Sequence, residues 1–261
     1  MGLPVLIYGK SGSGKSRSLK FFDEDEIVLL NTERKELPFK KRFKKTGCSD
    51  DINRIITTIN QNPEKTYVID DAGYIMTHLF MSQHRNKKGN ASFEMYDDIA
   101  DAMYGLVKRI KTDVTAPDKI VYIMFHEDTD DFGISRLRTI GKQLDRKVCL
   151  EGMVTICIRC MSENGNHFFR TVTDGSDITK TPEEMFPEPE IENNLKLVDD
   201  TIRDFYGWEK HKTKEDTKVM IKKPAGYDEA AAYTGESQQL PKRKVCVCDQ
   251  TGSNPDIQER K

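Results

Sequence analysis

The sequence predicts an α/β fold with a mostly parallel central sheet flanked by helices, closed by a C-terminal strand hairpin and helix. Three observations carry that expectation. Short apolar runs rich in Val, Ile and Tyr alternate with stretches of helical periodicity, as buried parallel strands alternate with crossover helices. A glycine-rich loop lies between the first such run and a helical pattern. Near the end, two strand-like runs stand next to each other with only a turn signal between them.

The strand candidates are LPVLIY (3–8), EIVLL (26–30), TYVID (66–70) and KIVYIMF (119–125), each apolar without alternation. Between them, Ser49 is placed to cap a helix whose Ile52, Ile55, Ile56 and Ile59 form one buried stripe. A longer helix is expected from Phe93 to Lys111, with Met95, Ile99, Met103, Leu106 and Ile110 inward. MVTICIRCM (153–161) and HFFRTVT (167–173) predict a hairpin turning at ENGN. A proline-rich connector, KTPEEMFPEPE, then leads to a helix over NNLKLVDDTIRDFYGW. Beyond Trp208 the periodicity fades into a charged stretch poor in large apolar residues, which predicts a domain over 1–208 and a mobile tail over 209–261.

Bulk properties narrow the class. The 261 residues are 36% hydrophobic and 32% charged, with a formal net charge of -2, so nucleic-acid binding would need a local basic patch. No apolar run reaches membrane-spanning length, and the N-terminus does not read as a secretory signal. The six cysteines read as reduced thiols, placing the chain in a cytoplasmic setting. Cys157 and Cys160 have C-x-x-C spacing without a second pair, and Cys246 and Cys248 lie in the tail without further ligands; buried structural thiols are the reading of the first pair.

Gly9-Lys10-Ser11-Gly12-Ser13-Gly14-Lys15-Ser16 satisfies G-x-x-x-x-G-K-[ST]. Glycines let such a loop curl so that successive N–H groups face phosphate oxygens, and the following helix N-terminus adds partial positive charge. Lys15 would reach the β and γ phosphates and Ser16 would ligate Mg²⁺, which makes ATP the expected ligand. TYVIDDAG then offers Asp70 for the metal shell. Asp71 reads either as orienting the attacking water or as capping the helix that starts near Gly73. Glu33, past the second strand, is a general-base candidate or an exposed surface glutamate. His126, closing the fourth strand in YIMFHED, is a γ-phosphate sensor or a solvated strand end.

The stretch 127–147 begins acidic and turns basic through Arg136, Arg138, Lys142, Arg146 and Lys147. Those cations would neutralise nucleic-acid phosphates, with Phe132 stacking on a base, or reach the nucleotide of a neighbouring subunit. Lys142 and Arg146 suit the second role best. The stretch 83–92 is a second basic loop.

Taken in order, GKSGSGKS, NTERK, VIDDA, FHED, LRTIGKQLDRKVCLEGMVTICIRC, FFRTVTDGSDITKTPEEMF and EIENNLKLVDDTIRDFYG resemble the phage-encoded P-loop ATPases with a RecA-like core. These are the Sak-type single-strand DNA recombination ATPases and related phage AAA-family ATP-binding proteins. The resemblance covers roughly residues 3–208. It implies a RecA-like P-loop NTPase sheet, Mg²⁺-dependent ATP hydrolysis, and action on single-stranded DNA in phage recombination or replication, in the host bacterial cytoplasm. A homo-oligomer, ring or filament, is expected, with a phage or host single-strand-binding protein as a further partner. In that family the base follows the second strand, which favours Glu33 over Asp71. His126 stands where RecA commonly has glutamine. The competing readings are a small-molecule or nucleotide kinase using the same loop, and a non-hydrolysing assembly module whose ATP only orders an oligomer.

Overall fold

The computed structural model describes residues 1–87, 89, 91–141, 144 and 147–211. Their elements, in chain order, are β1 (Leu3–Gly9), β2 (Ile27–Asn31), β3 (Lys45–Gly47), α1 (Ile52–Gln61), β4 (Thr66–Asp70), α2 (Gly73–Gln83), α3 (Ala91–Thr112), β5 (Ile120–Thr129), β6 (Ser135–Leu137), β7 (Ile156–Glu163), β8 (Asn166–Arg170), β9 (Glu190–Glu192) and α4 (Leu195–Tyr206). The sheet runs β3-β2-β4-β5-β1-β7-β8-β9, with β6 hydrogen-bonded to the outer part of β5. Pairings from β3 through β7 are parallel, and β7-β8, β8-β9 and β5-β6 are antiparallel. The expected mixed, mostly parallel sheet is therefore present.

Each central strand is buried on both faces, and alternate residues divide between two cores. Leu6, Tyr8, Val28, Leu30, Tyr67 and Ile69 face α1, α2 and α3, with Ile55, Ile59, Met103 and Leu106 packed against them. Val5, Ile7, Ile27, Leu29 and Val68 face the opposite layer, which contains Leu19, Phe22, Leu195, Val198 and Ile202. That two-sided burial is why the strands read as continuous apolar runs. Cys157 belongs to the first core and Cys160 to the second, as an odd separation along a strand requires. The pair cannot share a ligand.

Several local expectations change. The cap of α1 is Asp51, whose carboxylate accepts from the Asn53 and Arg54 amides; Ser49 accepts from the Asp51 amide and only supports the cap. After the glycine-rich loop the chain makes a six-residue 3-10 helix, Ser16–Phe21, and then goes extended at Phe22. Phe22 is drawn into the core, which ends the helix early, so a long helix dipole is not aimed at the loop. The stretch after His126 is no simple loop. Strand β5 continues to Thr129 and folds back through β6, with Asp128 opposite Arg136. The ENGN turn is present, with Asn164 and Gly165 at φ 50° and 79°, the left-handed pair of a tight two-residue turn.

Helix α4 begins at an Asn194 cap and ends at Gly207 in the left-handed region. Core contacts run beyond Trp208 as far as His211, whose Nε2 lies 2.9 Å from Thr66 Oγ1 and 3.1 Å from Asp199 Oδ2. The rest of the expected tail, with Cys246 and Cys248, lies outside the described residues. Among the described residues, no helix is long and apolar enough to cross a membrane.

Candidate active site

The carboxyl ends of β1, β5, β4 and β2 meet at one edge of the sheet, where open α/β sheets bind ligands. Gly9 lies in register with His126, and Asn31 with Asp70. The cleft there has a volume of about 530 Å³ and includes Gly12, Gly14, Lys15, Ser16, Asp70, Asp71 and His126 in its lining.

The loop is fixed by its glycines and by the C-terminal hairpin. Gly12 and Gly14 sit at φ 77° and 106°. A Cβ on Gly14 would come 2.9 Å from His167 Nδ1, and one on Gly9 would come 2.2 Å from the Cys160 carbonyl oxygen. The Ser13 carbonyl accepts from Cys160 Sγ at 3.2 Å and lies 2.8 Å from His167 Nδ1. Asn193 donates to Cys160 Sγ and accepts from Arg17, tying the connector before α4 to the same place. Burial pushes the Cys160 thiol up to about 11, so it is a neutral donor here.

Lys15 is buried and folded over the loop, donating to the Gly9 and Lys10 carbonyls at 2.8 and 3.0 Å. Burial lowers its affinity for the proton, opposed by the carboxylates of Asp71 and Asp70. Ser16 Oγ donates to Asp70 Oδ2 at 2.8 Å. The other oxygen, Asp70 Oδ1, is buried without a hydrogen-bond partner. Burial and the neighbouring Asp71 raise the pKa of Asp70. A buried carboxylate with one vacant oxygen beside a serine hydroxyl fits a Mg²⁺ ion, which takes one or two protein oxygens and fills its octahedron with water and phosphate. No group of three or more His, Cys, Asp or Glu side chains gathers for a metal among the described residues, so an all-protein metal cage is not what these residues fit.

Asp71 does not cap α2; the residue there is Ala72, with no side-chain cap bond. Its carboxylate lies 2.6 Å from Lys35 Nζ and 3.2 Å from His126 Nε2. Burial alone would raise this carboxyl, but the hydrogen bonds from His126 and Lys35 prevail and hold it at about 2. Glu33 is placed differently. Its carboxylate is 2.7 Å from His78 Nε2, and it is not part of the cleft wall, where Lys35 and Glu36 stand instead. The chain turns after β2, with Arg34 at φ 54°, and presents the two following residues to the cleft.

The candidate nucleic-acid residues divide. Arg138 lines the cleft, and its amide donates to the His126 carbonyl at 2.8 Å. Arg136 is paired with Asp130 at 2.7 Å. Lys147 is exposed and outside the cleft wall, and Phe132 is 89% exposed at the hairpin tip. Lys142 and Arg146 lie outside the described residues. Glu127, the first acidic residue of the stretch, has a buried side chain held by two hydrogen bonds from Arg159.

Sequence reasoning missed Lys35, Tyr74, Arg17 and His167 in this wall. Lys35 was readable as the second cation after Glu33, whereas His167 becomes visible only once β8 is laid beside β7. No family model matches the sequence, and no curated protein matches it.

Proposed function

We propose that this chain binds MgATP and hydrolyses it, working on single-stranded DNA in phage recombination or replication. The RecA-like assignment and the phage recombination role rest on the resemblance carried by the motifs above. The observation that carries the hydrolytic reading is the Ser16–Asp70 hydrogen bond, with Asp70 Oδ1 left free beside a glycine-rich loop and a buried lysine.

In this reading Lys15 exchanges its two carbonyl acceptors for phosphate oxygens, and the loop amides hold the rest of the phosphate chain. Ser16 and Asp70 would hold a Mg²⁺ ion, whose charge would offset that of the phosphates. Asp71 is too weak a base to remove a proton before the reaction, but phosphoryl transfer demands chiefly a positioned water. Its ionised carboxylate accepts a hydrogen bond from that water while Lys35 and His126 fix its orientation. In this reading His126 reports the γ-phosphate to the chain just after β6, through the hydrogen bond its carbonyl accepts from the Arg138 amide. Glu33, tied to His78, acts as a support of the β2 turn rather than as the base. Assembly into a ring or filament would let cations of a neighbouring subunit complete the site.

The test is steady-state hydrolysis with and without single-stranded DNA, across a salt series, for the wild type, Lys15→Ala and Asp70→Asn. Both variants are expected to lose about a hundredfold or more in kcat, as when a transition-state charge partner is removed. Transfer of the γ-phosphate to an added nucleoside or nucleotide would establish the kinase reading instead. Wild-type activity in both variants would exclude this site.

A further inference from the structure

The connection between β2 and β3 is the most basic stretch of the chain: ERKELPFKKRFKK (33–45) carries Arg34, Lys35, Lys40, Lys41, Arg42, Lys44 and Lys45. It forms one wall of a groove of about 690 Å³ at the sheet edge, floored by Leu29, Leu37, Phe39 and Phe43. Phe39 and Phe43 meet edge to face, with centroids 6.4 Å apart. Four of the lysines have structural partners. Lys41 donates to the Lys20 and Phe22 carbonyls, Lys44 pairs with Asp25, Lys45 with Glu64, and Lys35 with Asp71. Lys40 and Arg42 are exposed and have no acidic partner among the described residues. Lys35 and Glu36 line both this groove and the phosphate cleft.

We infer that this groove is a binding track for a single-stranded polynucleotide, with Lys40 and Arg42 on its phosphates and the Phe39 side of the floor against its bases. The inference rests on the ATPase reading for its coupling to hydrolysis but not for the binding itself. Cations that guard an edge strand from pairing explain Lys45, which lies in β3. They do not explain Lys40 and Arg42, which precede the strand and flank an apolar floor. Such a floor between cations suits a strand with unstacked bases, whereas a duplex offers only phosphates at its rim. An anionic bilayer would need a flat or protruding surface rather than a groove. Because Lys35 bonds Asp71 from the groove side, a strand on the track touches the wall of the hydrolytic site directly.

The test uses the full chain and a fluorescein-labelled oligodeoxythymidylate, with anisotropy read across a salt series and ATP hydrolysis measured in parallel. Lys40→Glu/Arg42→Glu is expected to raise Kd roughly tenfold or more, and to lessen the slope of log K against log salt by about 1.4. Its hydrolysis without DNA stays at the wild-type level, and stimulation by the oligonucleotide is lost. Lys40→Gln/Arg42→Gln, milder at two exposed positions, shows the same change in slope. An unchanged Kd and slope in both variants overturns the inference, as does a wild type that hydrolyses ATP without binding the oligonucleotide. Selective loss of binding to duplex DNA, or to phosphatidylserine vesicles, also overturns it. If binding is lost as expected but the wild type hydrolyses nothing, the track stands and the ATPase reading falls.

Discussion

Asp71 is one of the few non-glycine residues of the described chain in the left-handed region, at φ 57°. Aspartate tolerates that conformation better than most residues, but it is held there, with its carbonyl accepting from Thr32 Oγ1 at 2.8 Å. The bend turns its carboxylate away from α2 and between Lys35 and His126. Asparagine is equally at home in this backbone, so Asp71→Asn removes the charge alone. Because the folded carboxyl is depressed to about 2, its stabilising effect is full above the unfolded pKa near 4 and disappears as pH falls through 2. Denaturant unfolding at pH 7 should therefore show Asp71→Asn less stable than wild type by on the order of 2 kcal/mol. The difference should close between pH 4 and pH 2. A constant difference would mean that the ion pairs do not govern Asp71.

At the level of elements, the helix starts are the most economical test of the local readings. Asp51→Ala should destabilise by about 1 kcal/mol, the usual cost of losing a cap. Ser49→Ala, which removes only exposed bonds to the Asp51 amide and carbonyl, should cost a fraction of that in the same thermal melts. The four long strands were legible because two-sided burial writes itself as an uninterrupted apolar run, and α1 and α3 because one buried stripe repeats at helical spacing. The strands β3, β6 and β9 were not: each has three residues, too few for any period, and each exists through hydrogen bonds to the strand that precedes it. The site divides in the same way. Its phosphate loop and Asp70 are local in sequence, whereas the roles of Lys35, Arg138 and His167 depend on which strands become neighbours. Glu33 shows the converse, since strand-end position alone did not say which way the side chain points.

Across the whole molecule, a second polar centre lies at the opposite end of the sheet from the phosphate cleft. Asp199 and Arg203 of α4 are both 0% exposed and 2.6 Å apart. Thr66 and Tyr122, from β4 and β5, donate to Asp199, while Arg203 donates to the Lys65 and Asp118 carbonyls. This network pins α4 across two strands. Removing one partner leaves a buried charge uncompensated, so Arg203→Met should cost about 3–5 kcal/mol in urea unfolding. ATP hydrolysis per folded molecule should be unaltered at temperatures where the variant is folded. A loss of activity without a loss of stability would show that α4 reaches the chemistry by some other route.

One consequence of the C-terminal hairpin concerns the peptide between Ser13 and Gly14. A trans peptide directs its carbonyl and its N–H to opposite sides. With the Ser13 oxygen held by Cys160 and His167, the Gly14 N–H is turned the other way before any anion arrives. The orienting of that donor is thus accomplished during folding and contributes no ordering cost at binding. Phosphate affinity and the integrity of β7 and β8 are then thermodynamically linked: what loosens the hairpin weakens the ligand, and the ligand in turn stiffens the hairpin.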